Sequence, residues 1–377
     1  DTPPTAKDDT FGVRPGRTFS LPVLANDTDP DGDLLTASVK TQPTGATVSQ
    51  VRGGEELSIA VPQGTAGTTY TFTYTADDGR GGRGDARVTV KVFPDSVNEA
   101  PVQNTPVASM TIGIKGEATY SLLTNFRDPE GDSMFLLGTD QPAGLSVKSR
   151  PDGVVTVKDL GTGGAGARDI NVQVSDSRGK VGTGVLRVNV RDGKLPPIAN
   201  TDHVTVLKDQ QVTVPPLAND VDPHGAGLRL TAVQQAEAGQ TIEPDYTGGS
   251  FRFKSTTPGV YYVSYQVAND SPTASTGYVR VDVSDPQQGK PVASDDLAML
   301  PAGGSVIVDA LANDTDPAGG VLVLKSVDVP ASAPIAVEIV DHNLLRISAP
   351  VGLQAPIDFG YVVSNGPGEA TGHVTVV

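Results

Sequence analysis

Apolar and polar residues alternate with a period of two over short stretches of this chain, the pattern of strands that turn one face to a core and the other to water. Tyr70, Phe72, Tyr74 and Ala76 alternate with Thr71, Thr73 and Thr75, and then Ala86, Val88, Val90 and Val92 alternate with Arg87, Thr89 and Lys91. The segment between the runs, Asp77-Asp-Gly-Arg-Gly-Gly82, is a turn-rich hairpin connection. The pair recurs as Ile170, Val172 and Val174 with Leu186, Val188 and Val190; as Val263, Tyr265 and Val267 with Val279, Val281 and Val283; and as Phe359, Tyr361 and Val363 with Val374 and Val376. With further stretches at 7–13, 18–24, 34–40, 45–50 and 55–61, the first copy reads as about seven short strands. Few stretches free of Gly, Pro or β-branched runs are long enough to pattern as a helix. The chain is therefore expected to be all-β and built of immunoglobulin-like sandwiches; a fibronectin-type topology would give a similar sequence.

A loop motif sets the number of sandwiches. Leu24-Ala-Asn-Asp-Thr-Asp-Pro-Asp-Gly-Asp33 returns as Leu123-Thr-Asn-Phe-Arg-Asp-Pro-Glu-Gly-Asp132, as Leu217-Ala-Asn-Asp-Val-Asp-Pro-His-Gly225 and as Leu311-Ala-Asn-Asp-Thr-Asp-Pro-Ala-Gly319. The Asp-Pro aspartates are spaced by 99, 94 and 94 residues, which divides the chain into four tandem modules, 1–96, 97–194, 195–288 and 289–377. Pro and polar residues mark the links at Phe93–Pro101, Asp192–Pro197 and Ser284–Pro291. Short links that contain Pro restrict bending, so the sequence predicts an extended, semi-rigid rod.

Composition narrows the partners. A formal net charge of −16 argues against nucleic acid and anionic membrane, which reward clustered Lys and Arg, and favours calcium or a basic surface. With no Cys and no Trp, each module must be held by packing and by metal where one binds, without disulfides. No apolar run reaches the roughly 18 residues of a membrane span, and the first residues carry no signal sequence. The chain reads as a piece of something longer.

In a sandwich of this kind the loop after the second strand and the loop joining the last two strands lie at one pole. That would gather Asp8, Asp9, the loop from Asp27 through Asp29 and Asp31 to Asp33, and Asp77-Asp78. Carboxylates so grouped repel unless a cation joins them, and calcium takes six to eight hard oxygen ligands. Here the residues resemble the bacterial Ig-like and cadherin-like tandem repeats of large cell-surface proteins, whose signature is Asn-Asp-Thr-Asp-Pro-Asp-Gly-Asp before a strand. The resemblance covers all four modules and is clearest in the first and fourth. It implies calcium at module junctions, with Asp29, Asp31 and Asp33 opposite Asp78 in module 1. At the first junction the implied shell is Asp95, Asn98, Asp128, Glu130, Asp132 and Asp176.

The copies differ where ligands matter. Asp31 becomes Glu130, His224 and Ala318; Asp33 becomes Asp132, Ala226 and Gly320; Asp78 becomes Asp176, Asn269 and Asn365. Calcium is thus expected at modules 1 and 2 and not at 3 and 4. The same residue types also build metal-free Asx-turns, which is the competing reading of the loop. An EF-hand is excluded, because the twelfth position from Asp27 is Ser38.

Other chemistry is sparse. Arg83-Gly84-Asp85 spells an integrin-type tripeptide that chance explains in so Gly- and Asp-rich a chain. His203, His224, His342 and His373 lack zinc spacing and read as surface residues. The sequence has no nucleophile elbow, Walker loop or thiol, and the loop carboxylates lack the cleft that glycosidase acids need, so no enzyme is expected. Tyr246, Phe251, Phe253, Tyr261 and Tyr262 are enriched in module 3; most fit a core, and Tyr246 and Tyr262 are the best candidates for exposed contacts. The resulting expectation is an extracellular stalk or spacer of a bacterial cell-surface or adhesion protein, joined to other modules of a longer chain. Its rivals are a module array that binds a surface glycan or protein, and an accessory array of a secreted polysaccharide enzyme.

Overall fold

The alternation in the first repeat becomes seven strands: β1 (Asp9–Val13), β2 (Thr18–Leu21), β3 (Thr36–Thr41), β4 (Thr47–Val51), β5 (Glu56–Ala60), β6 (Thr69–Asp77) and β7 (Arg83–Val92). In the computed structural model, which describes residues 2–286 and 289–377, they pair as two sheets, β1-β7-β6-β3 and β2-β5-β4. β1 runs parallel to β7, and the other pairs are antiparallel. The inward residues of β6 and β7 meet Leu21, Leu57 and Ile59 between the sheets. Burying such a side chain contributes about 1.5–3 kcal/mol, so this alternation is the main source of stability.

The same seven-strand plan recurs three times, so the chain is four tandem Ig-like β-sandwiches. In the second the plan runs from Ala108–Gly113 to Val181–Arg191, with an added two-stranded pair of Val102–Gln103 and Phe126–Arg127; in the third it runs from Asp202–Leu207 to Ser275–Ser284, and in the fourth from Asp296–Ala298 to Glu369–Val376. Each repeats the register shift seen between Val39 and Thr41, at Leu136/Gly138, Leu230/Ala232 and Leu324/Ser326. Among the described residues the only helical turns are two short 3-10 segments.

The modules do not form the extended rod that the short links suggest. At the first junction Arg14, 5% exposed, donates to the carbonyls of Pro94 (2.7 Å) and Val97 (2.9 Å) and from Nε to Asp132 Oδ1 (3.0 Å), so one guanidinium ties module 1, the link and module 2 together. At the second, Gly113 N–H donates to Pro223 O (2.7 Å) and Leu195 N–H to His224 Nε2 (2.9 Å). Gln287 and Gln288 of the third link lie outside the described residues. The chain then turns back. Arg280 of module 3 reaches Leu34 O at 2.6 Å and Asp77 O at 2.9 Å, and Arg17 reaches Asp358 of module 4 at 2.6 Å. Module 1 therefore touches all three others. A short link limits how far each junction flexes but does not set its direction, and contacts made by residues more than 200 positions apart leave no local signal.

Candidate metal centre

In every module the Asp-Pro aspartate organises its own loop by accepting from the backbone two and four residues ahead, which is Asx-turn geometry. Asp29 Oδ1 accepts from Asp31 N–H (2.9 Å) and Asp33 N–H (3.0 Å), and Asp128 Oδ1 from Glu130 N–H (3.1 Å) and Asp132 N–H (2.9 Å). In modules 3 and 4 the donors are split over both oxygens: His224 N–H on Asp222 Oδ1 and Ala226 N–H on Oδ2, then Ala318 N–H on Asp316 Oδ1 and Gly320 N–H on Oδ2.

The residue opposite, on the hairpin between the last two strands, separates the modules into two kinds. Asn269 Nδ2 donates to Asp222 Oδ1 at 2.9 Å, and Asn365 Nδ2 to Asp316 Oδ1 at 2.9 Å. Burial works to raise both aspartates, but these amide donors and the loop N–H groups outweigh it and hold them below the ordinary range. In modules 1 and 2 the hairpin residue is Asp78, fully buried, or Asp176, 1% exposed. Each spends Oδ1 on its own hairpin, on Arg80 and Gly82 N–H or on Arg178 and Lys180 N–H. Asp29 Oδ2, Asp78 Oδ2, Asp128 Oδ2 and Asp176 Oδ2 are buried and have no hydrogen-bond partner among the described residues. Such atoms are costly to desolvate unless something electropositive meets them.

The first junction brings three of its six expected residues within reach of one another. Oxygens of Asp128, Glu130 and Asp132 lie within 4.8 Å of one another and Glu130 is 1% exposed; Asn98, on the link, has a buried Oδ1 without a partner among the described residues. Burial, followed by the Asp132 and Glu130 charges, pushes Asp128 up to about 7 against the pull of its two backbone donors. Asp132 is held by Arg14 and Arg178; Asp95 lies at the exposed edge, paired to Arg178 at 2.7 Å. At the pole of module 1, Asp33 is held the same way by Arg80 Nε at 2.9 Å, while exposed Asp31 accepts from Thr2 N–H.

The remaining candidates form a separate group. Asp8 spends Oδ1 on Arg87 N–H, and Asp9 and Asp27 gather around the hydroxyl of Tyr74, which donates to Asp27 Oδ2 at 2.8 Å and to Val23 O at 3.0 Å. Asp202 and Asp220 surround Tyr265, and Asp296 and Asp314 surround Tyr361, in the same way. Burial, and then the neighbouring carboxylate, pushes Asp9 and Asp202 up to about 7 and Asp296 to about 8. Module 2 has Ala108, Phe126 and Val172 at these places, all within its core. A Cβ on Gly184 would lie 2.5 Å from Phe126 Cζ, and one on Gly372 2.4 Å from Tyr361 Cζ, so in modules 2 and 4 a glycine on the last strand admits the ring; in module 1 the residue opposite Tyr74 is Ala86. Strand alternation marks the tyrosines only as core residues. Aligning the four copies would have revealed the cluster, because its three members change together.

Two other expectations change. Tyr262 is half-buried, with its OH on Asp78 O at 2.7 Å and the Arg80 guanidinium 4.1 Å above its ring, so it faces module 1; Tyr246 is exposed. His203 is not on the surface: its side chain is 2% exposed, between Glu55 and Asp282. The Arg83-Gly84-Asp85 tripeptide lies in β7, with Arg83 paired to Asp77 and Asp85 to Lys40.

Among solved structures, the chain resembles Drosophila N-cadherin EC1-4, at 15% identity over 98% of this chain and 99% of that one, with a TM-score of 0.28. The human desmocollin-1 ectodomain follows at 14% identity over 100% and 79%, TM-score 0.22. An endo-fucoidan hydrolase of glycoside hydrolase family 107 is 20% identical over 73% of this chain, which spans 43% of the hydrolase, with a TM-score of 0.23. A comparison with curated proteins finds no match. The description "Bacterial Ig domain" matches four times in succession, at residues 1–91, 98–189, 194–282 and 288–377, and the chain belongs to that family.

Proposed function

We propose that the chain is an extracellular structural spacer, a stalk segment of a bacterial cell-surface or adhesion protein, with calcium-binding poles on modules 1 and 2. The observation that carries the calcium reading is the contrast between Asp and Asn on the last hairpin. Asn269 and Asn365 close their loops with an amide N–H, whereas Asp78 and Asp176 leave paired carboxylate oxygens buried without a donor. Calcium would supply the positive charge those oxygens lack, with a coordination flexible enough for carboxylate and amide oxygens together. In module 2 the ligands are Asn98, Asp128, Glu130, Asp132 and Asp176, with Asp95 at the rim; in module 1 they are Asp29, Asp33 and Asp78, with Asp31 at the rim. Asp8, Asp9 and Asp27 belong to the tyrosine cluster and serve the fold.

The spacer role rests on four copies of one sandwich of the bacterial Ig domain family, with boundaries proposed at 1–96, 97–194, 195–288 and 289–377. We assign no catalysis, because the loop carboxylates are engaged by backbone N–H groups and guanidiniums at module poles. The test is a thermal melt in calcium and then in chelator. A ligand that binds only the folded state raises stability by about 2.7 kcal/mol at a hundredfold excess over its Kd. Asp29→Ala and Asp128→Ala should each remove part of the calcium-dependent gain, and identical wild-type melts in calcium and chelator would refute the calcium sites.

A further inference from the structure

The loops that carry the module 1 pole are also the loops that module 3 grips. Arg280, 1% exposed, donates from Nη1 to Leu34 O (2.6 Å) and Asp77 O (2.9 Å) and from Nη2 to Thr36 Oγ1 (2.9 Å). Asp282 orients it, accepting from Nε at 2.8 Å. Tyr262 donates to Asp78 O at 2.7 Å. Leu34 and Thr36 follow Asp33 in sequence, and Asp77 and Asp78 begin the hairpin, so every one of these contacts falls on the two segments that present Asp33 and Asp78.

Arg80 joins the two events. Its Nε holds Asp33 Oδ1 at 2.9 Å, and its guanidinium stacks 4.1 Å over the Tyr262 ring, so one side chain neutralises the pole and completes the docking surface. Module 2 provides the comparison: the equivalent arginine, Arg178, holds Asp132 but turns its other face to Asp95 of the link. A cavity of about 580 Å³, lined by Asp31, Asp33, Arg80 and Tyr262 among others, gives solvent a way to the pole while module 3 is docked.

We propose that docking of module 3 on module 1 and cation binding at the module 1 pole oppose each other, so that calcium loosens the hold of module 3 on module 1. This rests on the calcium reading of Asp29, Asp33 and Asp78. Asp33 cannot serve Arg80 and a divalent cation with equal strength, and a second positive centre beside Arg80 repels its guanidinium. Arg80 then leaves Asp33 and loses the position from which it covers Tyr262. By linkage the effect is reciprocal: a docked module 3 lowers calcium affinity at this pole by the same factor by which calcium weakens docking.

The experiment uses the full chain carrying Glu130→Gln and Asp176→Asn, which strip the module 2 site of two charged ligands, and Arg17→Ala, which removes the Arg17 pairs to Asp295 and Asp358 of module 4, and follows calcium binding by titration calorimetry and maximum dimension by small-angle X-ray scattering. The expected result is binding at the module 1 pole together with growth of the maximum dimension toward the roughly 150 Å of four modules end to end. Adding Tyr262→Ala should make the chain long without calcium and tighten calcium binding about fivefold or more. Tyr262→Phe, which removes only the hydroxyl, should shift both readouts the same way by less. Calcium binding with no change in dimension, or unaltered affinity in both Tyr262 variants, would overturn the coupling while leaving the calcium reading intact. No binding at the module 1 pole would overturn both.

Discussion

Asp296→Asn is expected to stabilise module 4 by on the order of 3–5 kcal/mol at pH 8, and by little at pH 4. Burial, then the Asp314 charge, raises Asp296 to about 8 from an ordinary 3.8, and burial raises Asp314 to about 7. Asp295 and Asp309 add negative charge nearby, while Tyr361 and Asn313 donate. The folded module therefore holds a proton that the unfolded chain releases near pH 4. Stability from this pair is complete below that point and is lost as pH rises toward 8. An amide at 296 keeps a neutral donor for Asp314 at every pH, so the variant's advantage should grow over the same interval. Hydrogen exchange of the amides in residues 357–364 isolates module 4 from its neighbours. Module 2, with Ala108, Phe126 and Val172 in place of the cluster, is the internal control. Equal wild-type protection at pH 5 and pH 8 would exclude a shared proton.

Asp176→Asn is the second large effect, and its sign depends on the cation. Asn269 and Asn365 show what the substitution supplies, an Nδ2 about 2.9 Å from the opposing aspartate. In chelator the variant should be more stable by about 1–3 kcal/mol, because a buried orphan oxygen gains a donor. In calcium it should be less stable than wild type, having lost a charged ligand. The reverse change, Asn269→Asp, creates an orphan pair in module 3 and should destabilise it in chelator. Melts of both variants with and without calcium check the crossing. Wild type and Asp176→Asn moving in parallel under calcium would remove Asp176 from the site.

What could be read in the sequence was what is local. The strands of Tyr70–Ala76 and Ala86–Val92 follow from side-chain alternation, because a one-residue slip would turn every apolar group to water. The split between Asp78 and Asp176 on one side and Asn269 and Asn365 on the other also stands in the sequence, since the Asp-Pro loop fixes which positions to compare. The tyrosine cluster was hidden because periodicity tells which face Tyr74 occupies and nothing about where its hydroxyl ends. The return of module 3 onto module 1 was hidden more deeply. Arg280 and Leu34 are 246 residues apart, and an arginine among alternating valines reads as a solvent-facing strand residue until its five-donor head is seen to be enclosed.

The parallel pairing of the first and last strands governs how each sandwich would respond to tension. Tension entering at a module's first strand and leaving by its last draws the two strands past each other, so the rungs between them share the force instead of opening in turn. Module 1 has five such registered pairs, modules 2 and 3 have six each, and module 4 has three. Pulled from its two ends, the chain should therefore yield first at module 4, which would serve as a mechanical fuse that lengthens at low force while the other three sandwiches stay closed.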